Sequence, residues 1–246
     1  MKILVCISHV PDTTSKINFT AENAEFDSNG VQFVINPYDE FSLARAMWFK
    51  EKQGASVTVI TVGDASTEPS LRKSLAIGAD DAIRIDAQAT DGITVAKQLA
   101  EVIKSNAYDL ILTGRESIDY NGATVPGALA TLLDYNFINA CVGLEIEGTS
   151  VTASKEIDGG TETLGTELPA VIAGQKGLVE EKDLRIPNMR GIMMARKKPL
   201  QVLPGIEATS STKDVSFEKP AEKSACKIVT SVDELIDVLH NEAKVI

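Results

Sequence analysis

The sequence predicts an α/β fold: a parallel-sheet domain carrying a β-hairpin extension and an extended C-terminal arm. Three observations lead there. Short apolar, β-branched runs at Lys2–Ser8, Val57–Val62, Ala82–Ile85 and Tyr108–Thr113 read as strands buried on both faces. Segments with helical spacing follow most of them, and repeated strand–helix alternation demands a parallel sheet covered on both sides. After Tyr135 the alternation stops, and shorter β patterns joined by turn residues take over. The expected division is an α/β domain over 1–203 and an arm over 204–246.

In chain order, Lys2–Ser8 is the first strand. Asn36-Pro37-Tyr38-Asp39 breaks the chain, and Phe41, Ala44, Met47 and Trp48 then mark a helix. Val57–Val62 ends in Gly63-Asp64, and its helix starts near Thr67 and Pro69, a cap and first-turn pair, and stops at Gly78. Asp91 caps a helix whose stripe is Ala96, Leu99, Ala100 and Ile103. Tyr108–Thr113 leads into the loop Gly114–Gly122. Pro126 is tolerated only in a first turn, so the next helix begins close to Ala123 or Thr124.

Val142–Glu147 and Thr149–Glu156 read as strands, with Asp158-Gly159-Gly160 turning the chain into Thr161–Glu167. Pro169–Ala173 reads as the last apolar strand, and Gly174–Lys198 as a charged loop. From about Pro204 to Cys226 the chain is rich in Ser, Thr, Lys, Glu and Pro and has little to bury. Ser231 and Glu234 form a capping box for a final helix with Val232, Leu235, Ile236 and Leu239 on one face. A helix that short at the end of a polar arm needs a surface to dock on.

Composition excludes several classes. With 43% hydrophobic and 24% charged residues the chain is that of an ordinary globular protein. It has no run of about 18 apolar residues, so membrane insertion is not expected. A net charge of −11 argues against nucleic acid as a partner. Against that acidity, Arg190, Arg196, Lys197 and Lys198 cluster in a segment, Met189–Leu203, free of acids. Three widely spaced cysteines suggest neither a disulfide framework nor a zinc site, which fits a reducing cytoplasm. A strand beginning at Met1-Lys2-Ile3 leads us to expect no targeting segment.

In parallel α/β sheets, ligands bind beyond the carboxyl ends of the strands. Here those ends are Cys6–His9, Asn36, Val62–Asp64 and Gly114–Val125. The last is a polar loop feeding a helix N-terminus whose free N–H groups suit phosphate. No phosphate-gripping glycine motif accompanies it, and spacing alone leaves a plain connecting loop equally open. His9 has no sequence partner that makes it a base, and Cys6 reads as core. No carboxylate pair, Ser–His pair or metal spacing stands out, so the chain does not read as a conventional catalyst. Met189, Ile192, Met193 and Met194 interleave with Arg190, Arg196 and Lys197, a pattern that suits an adaptable docking surface and equally a buried segment with a basic edge.

The stretch Ala153–Leu164 (ASKEIDGGTETL), followed by Pro169–Ala173, resembles the signature of electron-transfer flavoprotein β subunits. Val10-Pro11-Asp12, Ile35–Asp39, Ala76–Asp80, Gly114–Val125 and Arg185–Met193 with Ala195–Lys198 extend the resemblance over roughly residues 1–200. It implies an adenine-nucleotide α-hydrolase-like fold and an electron carrier, not an enzyme. It implies an obligate heterodimer with an α subunit that carries the redox-active FAD. Electrons would pass from acyl-CoA or related dehydrogenases to a quinone oxidoreductase, as in fatty acid oxidation.

The typical β subunit holds a structural AMP, and the family's contacts fall on Cys6, Asn36, Val62, Gly63, Gly114, Asn121, Gly122, Ala123, Thr124 and Val125. The recognition loop for dehydrogenases falls on 184–198, with Met189 at its usually leucine anchor and Arg190, Ile192, Met193, Arg196 and Lys197 around it. Bifurcating relatives replace AMP with a second FAD and take NADH as donor. Val125 is reminiscent of that branch, whereas Pro126 stands where both branches usually carry glycine. Tyr120 adds bulk that favours AMP. A flavin neighbour of some relatives falls at Thr13. A stand-alone adenine-nucleotide-binding protein is the alternative from a different class.

Overall fold

The computed structural model describes residues 1–223 and 225–246, and of Ala21 only the backbone; Ser224, in the expected arm, lies outside the described residues. The first strand, β1 (Lys2–Cys6), leads to the short strands β2 (His9–Pro11), β3 (Phe19–Thr20), β4 (Glu25–Phe26) and β5 (Phe33–Ile35). Helix α1 (Pro37–Gln53), strand β6 (Ser56–Val62), helix α2 (Glu68–Ile77) and strand β7 (Asp81–Asp86) come next. Then follow α3 (Gly92–Asn106), β8 (Leu110–Gly114) and α4 (Val125–Leu133). Strands β9 (Asn136–Glu147), β10 (Ser150–Ile157), β11 (Gly160–Glu167) and β12 (Ala170–Gly174) precede helix α5 (Met189–Ala195), strand β13 (Leu200–Pro204) and helix α6 (Val232–Asp237).

Nine strands form one sheet in the order β11-β10-β9-β12-β8-β1-β6-β7-β13. From β9 to β13 every neighbouring pair is parallel, and β10 and β11 add an antiparallel ribbon. Alternation along β1 explains the layers. Ile3 and Val5 point to a core shared with Met47 and Phe49 of α1 and Leu71 and Leu75 of α2. Leu4 and Cys6 point the other way, to Leu99 and Ile103 of α3 and Leu129 of α4. Both faces are covered, so the central strands are predominantly apolar, as a buried parallel sheet requires.

The predicted elements recur with small shifts, and four readings are corrected. The stretch 174–198, expected as loop, contains α5. Asn188 Oδ1 accepts from the Gly191 amide at 2.7 Å to start that helix. Gly191 lets it lie close on α2, for a Cβ there would stand 2.4 Å from the Ala76 carbonyl oxygen. Arg72 of α2 then donates to the carbonyls of Ala195 and Lys198 at 2.8 and 2.9 Å, closing the far end. These are long-range contacts, which a local pattern does not show.

The second correction is β13, which pairs with β7 as the edge of the sheet, so Ala170–Gly174 is not the last strand. Third, Thr67 makes no side-chain cap; Asp64 does, accepting from the Ser66 amide one short turn earlier at 2.8 Å. Fourth, β9 begins at Asn136, before the expected Val142, because its first half pairs with β12. The hairpin turn at Asp158-Gly159 stands as expected, with Gly159 at φ 82°. Ser231 and Glu234 cap α6: Ser231 Oγ accepts from the Glu234 amide at 3.2 Å, and the Glu234 carboxylate accepts from the Thr230 amide at 2.8 Å. The apolar side chains Val232 and Ile236 of α6 are exposed.

Candidate functional site

From β1 the chain builds outward to β6 and β7, then returns to place β8 on the other side of β1. That reversal opens a crevice at the carboxyl ends of β1 and β8. A cleft of about 860 Å³ lies there, floored by Cys6–His9, the end of β6 and Gly114. The loop into α4 forms one wall and the loop Asp86–Gly92 into α3 another, while Ser211, Thr212 and Asp214 of the arm close part of the rim.

Eight of the ten residues expected to hold a nucleotide line this cleft: Cys6, Val62, Gly63, Gly114, Gly122, Ala123, Thr124 and Val125. Asn36 does not; it is fully buried behind the wall. Its amide donates to the Glu116 carbonyl at 2.9 Å and accepts from the Ile118 amide at 3.2 Å, so it shapes the loop from beneath. Asn121 is exposed and absent from the lining; it bends the loop through a φ of 50°.

Asp39, in the first turn of α1, is the residue that sequence reasoning missed. One carboxylate oxygen accepts from the Ser8 amide and the other from the Gly114 amide, each at 2.7 Å. It therefore ties the ends of β1 and β8 together across the crevice. Burial pushes its carboxyl up to about 7, although those N–H groups pull it down. An acid in a first turn just after Asn-Pro was the available signal, and it reads locally as a mere dipole partner.

The loop into α4 changes backbone handedness at its end. Ala123 has a φ of 47°, and Thr124 follows in a right-handed conformation. Alternating handedness of this kind can aim successive backbone N–H groups at one point, and in the first turn of α4 Val125 and Gly127, but not Pro126, carry N–H groups. The lining carries Asp39, Asp64, Asp86, Asp91, Glu116, Asp119 and Asp214, with no Lys or Arg among the described residues. A phosphate in this cleft would thus be held by backbone N–H groups and not by cations.

The Cys6 thiol is pushed far up by burial and by the charge of Asp39, so it stays protonated. His9 stacks on Phe33 with ring centroids 4.6 Å apart and lies 2.9 Å from Ser70 Oγ. Burial lowers its pKa, against the opposing pull of Asp64. Beside the cleft floor, the Arg84 guanidinium is engaged by the Gly63 carbonyl, Asp86 and Glu68. No cluster of three or more His, Cys, Asp or Glu suited to a metal exists among the described residues.

The second expected surface is α5 and its approach. Met189 and Met193 are 75% and 66% exposed, and Arg190, Ile192, Arg196 and Lys197 are exposed with them. Of the basic cluster, only Lys198 turns inward, donating to the carbonyls of Leu75 and Ala79 at the end of α2. Thr13 lies in an exposed turn, apart from the cleft lining.

A family model described as an electron transfer flavoprotein domain matches residues 24–208. The chain is 34% identical to the electron transfer flavoprotein subunit beta of Bacillus subtilis, over all of both chains. It is 35% identical to the protein of that name from Syntrophomonas wolfei, over 92% of this chain and 88% of the relative. With the Homo sapiens subunit of that name the identity is 29%, over 100% and 99%.

Proposed function

The chain belongs to the electron transfer flavoprotein family as a β subunit, and we propose that it binds AMP in the cleft between β1 and β8 and works as the small subunit of a heterodimeric electron carrier. The observation that carries this reading is the cleft itself. There the loop into α4 meets the carboxyl ends of β1, β6 and β8, and eight of the ten expected nucleotide contacts converge on it.

The residues present fit AMP. Gly122–Val125 would hold the phosphate through backbone N–H groups. Gly63 and Gly114 let Thr67 and α1 pack closely at the strand ends, and Asp39 and Asn36 fix the loops around them. The bulk of Tyr120 at the rim favours AMP over a second flavin. Without cations in the lining, charge repulsion disfavours di- and triphosphates.

The redox flavin belongs to the α subunit in this reading, and the present chain supplies shape, a buried nucleotide and a docking surface. Exposed Met189 and Met193, among Arg190, Arg196 and Lys197, suit a transient contact with dehydrogenases of acyl-CoA type. The exposed apolar face of α6 suits a hold on the α subunit. A quinone oxidoreductase is the acceptor. No helix among the described residues is long and apolar enough to cross a membrane.

Co-expression with the α subunit, followed by release and identification of bound nucleotides, tests the reading. One FAD and one AMP per heterodimer is the expected result. Two FAD would assign the chain to the bifurcating branch, and a stable flavin-free monomer would overturn the carrier reading.

A further inference from the structure

The arm divides into a part that lies on the α/β domain and a part that reaches beyond it. From Pro204 to Lys219 it contacts α3, the cleft rim and the β3–β4 hairpin. Ile206 exchanges a pair of hydrogen bonds with the Gln98 side chain of α3, both at 2.8 Å. Further on, one oxygen of Asp91 caps α3 through the Thr94 amide at 2.6 Å. The other oxygen gathers the arm, accepting from Ser210 Oγ at 2.7 Å and the Ser211 amide at 2.8 Å. The Tyr120 hydroxyl donates to Asp214 at 3.2 Å across the cleft rim. Phe217 then stacks on Phe19 at 4.9 Å, and Lys219 donates to Asn18. Past that point the apolar side chains Ile228 and Val232 are exposed.

Residues 206–219 thus run from the sheet edge, past the cleft, to the hairpin of β3 and β4. Ser211, Thr212 and Asp214 form part of the cleft rim on the way. We propose that this segment is a strap that gates the cleft, so that a nucleotide enters and leaves only when the strap swings off Asp91 and Tyr120. The inference rests on the reading of the cleft as an adenine-nucleotide site.

The strap is built to detach. Between Ser210 and Lys219 only Ser210 and Phe217 are even partly buried, and the segment is held to the rim by hydrogen bonds to the half-buried Asp91 and the exposed Tyr120. Segments with few buried apolar contacts open at low free-energy cost, well below global unfolding. Both ends are anchored more firmly, by Gln98 at one end and by the Phe19–Phe217 stack at the other. The middle is therefore free to lift while the ends stay in register.

The test measures radiolabelled AMP exchange on the complete heterodimer. The variant Ser210→Ala/Ser211→Ala/Asp214→Ala loosens the strap and leaves Asp91 to cap α3. Loss of two or three hydrogen bonds should raise association and release together, each by about tenfold, with FAD content and the thermal midpoint unchanged. Tyr120→Phe, which removes one hydroxyl, should move both rates the same way by about twofold to threefold. Wild-type rates in both variants overturn the gate. A rise in release alone also overturns it, since that marks a simple ligand contact. Failure of the wild-type complex to bind AMP would instead overturn the nucleotide reading, before any variant is compared.

Discussion

Asp39 accepts a 2.7 Å hydrogen bond from the Gly114 amide, and the glycine is what allows it to come so near. A Cβ on Gly114 would stand 2.4 Å from the Asp39 carboxylate and 2.7 Å from Tyr38 Cβ. Neither can retreat, because Asp39 is also held by Ser8 and Tyr38 sits in the first turn of α1. The floor of the cleft is therefore set by one carboxylate and one missing side chain.

Replacing Gly114 by Ala should force α1 and β8 apart and cost about 2–3 kcal/mol of stability, the usual cost of overpacking. Urea unfolding checks this, with a lower midpoint at unchanged slope. Bound AMP should fall in parallel, because the floor is displaced.

The Asp39 carboxyl has a pKa raised from 3.8 to about 7 by burial. Between those values the folded chain keeps a proton that the unfolded chain has released, so this group's contribution is full below about pH 4 and is lost as pH rises to about 7. The loss is on the order of a few kcal/mol. Asp39→Asn removes the titration. The stability of wild type relative to the variant should fall from pH 5 to pH 8, and a pH-independent difference would show an ordinary carboxyl.

Asn36→Ala removes two hydrogen bonds that hold the loop at Glu116 and Ile118 from beneath. Leaving those backbone groups unpaired should cost about 2 kcal/mol. AMP content of the purified heterodimer should drop although Asn36 does not line the cleft. Equilibrium dialysis with labelled AMP measures it.

Met189 is three-quarters exposed, so truncation should leave folding intact. If α5 docks dehydrogenases, Met189→Ala should slow dehydrogenase-dependent flavin reduction by about fivefold to tenfold with flavin content unchanged. Equal loss of FAD would make the residue structural.

Much of this molecule was legible without coordinates. The apolar runs and helix spacings fixed an α/β sheet covered on both faces, since buried parallel strands leave a continuous hydrophobic signal. Asp91 and Ser231 declared two helix caps, because a cap is a contact across three residues. Ordered motifs also pointed to the family, and eight of the ten expected nucleotide residues face one cleft.

What the chain alone did not decide depends on contacts between distant segments. Helix α5 exists because Gly191 meets Ala76 and Arg72 closes its end, over more than a hundred residues of separation. β13 becomes a strand only by finding the edge of β7. Asp39 looked like one more acid in a first turn until folding buried it between Ser8 and Gly114, where desolvation changes its chemistry. Likewise the polar arm, with little to bury, gave no sign that its first half lies beside the cleft. Local periodicity reports which face a residue presents; only the closed tertiary structure brings Asp91 to Ser210 and sets what surrounds a charge.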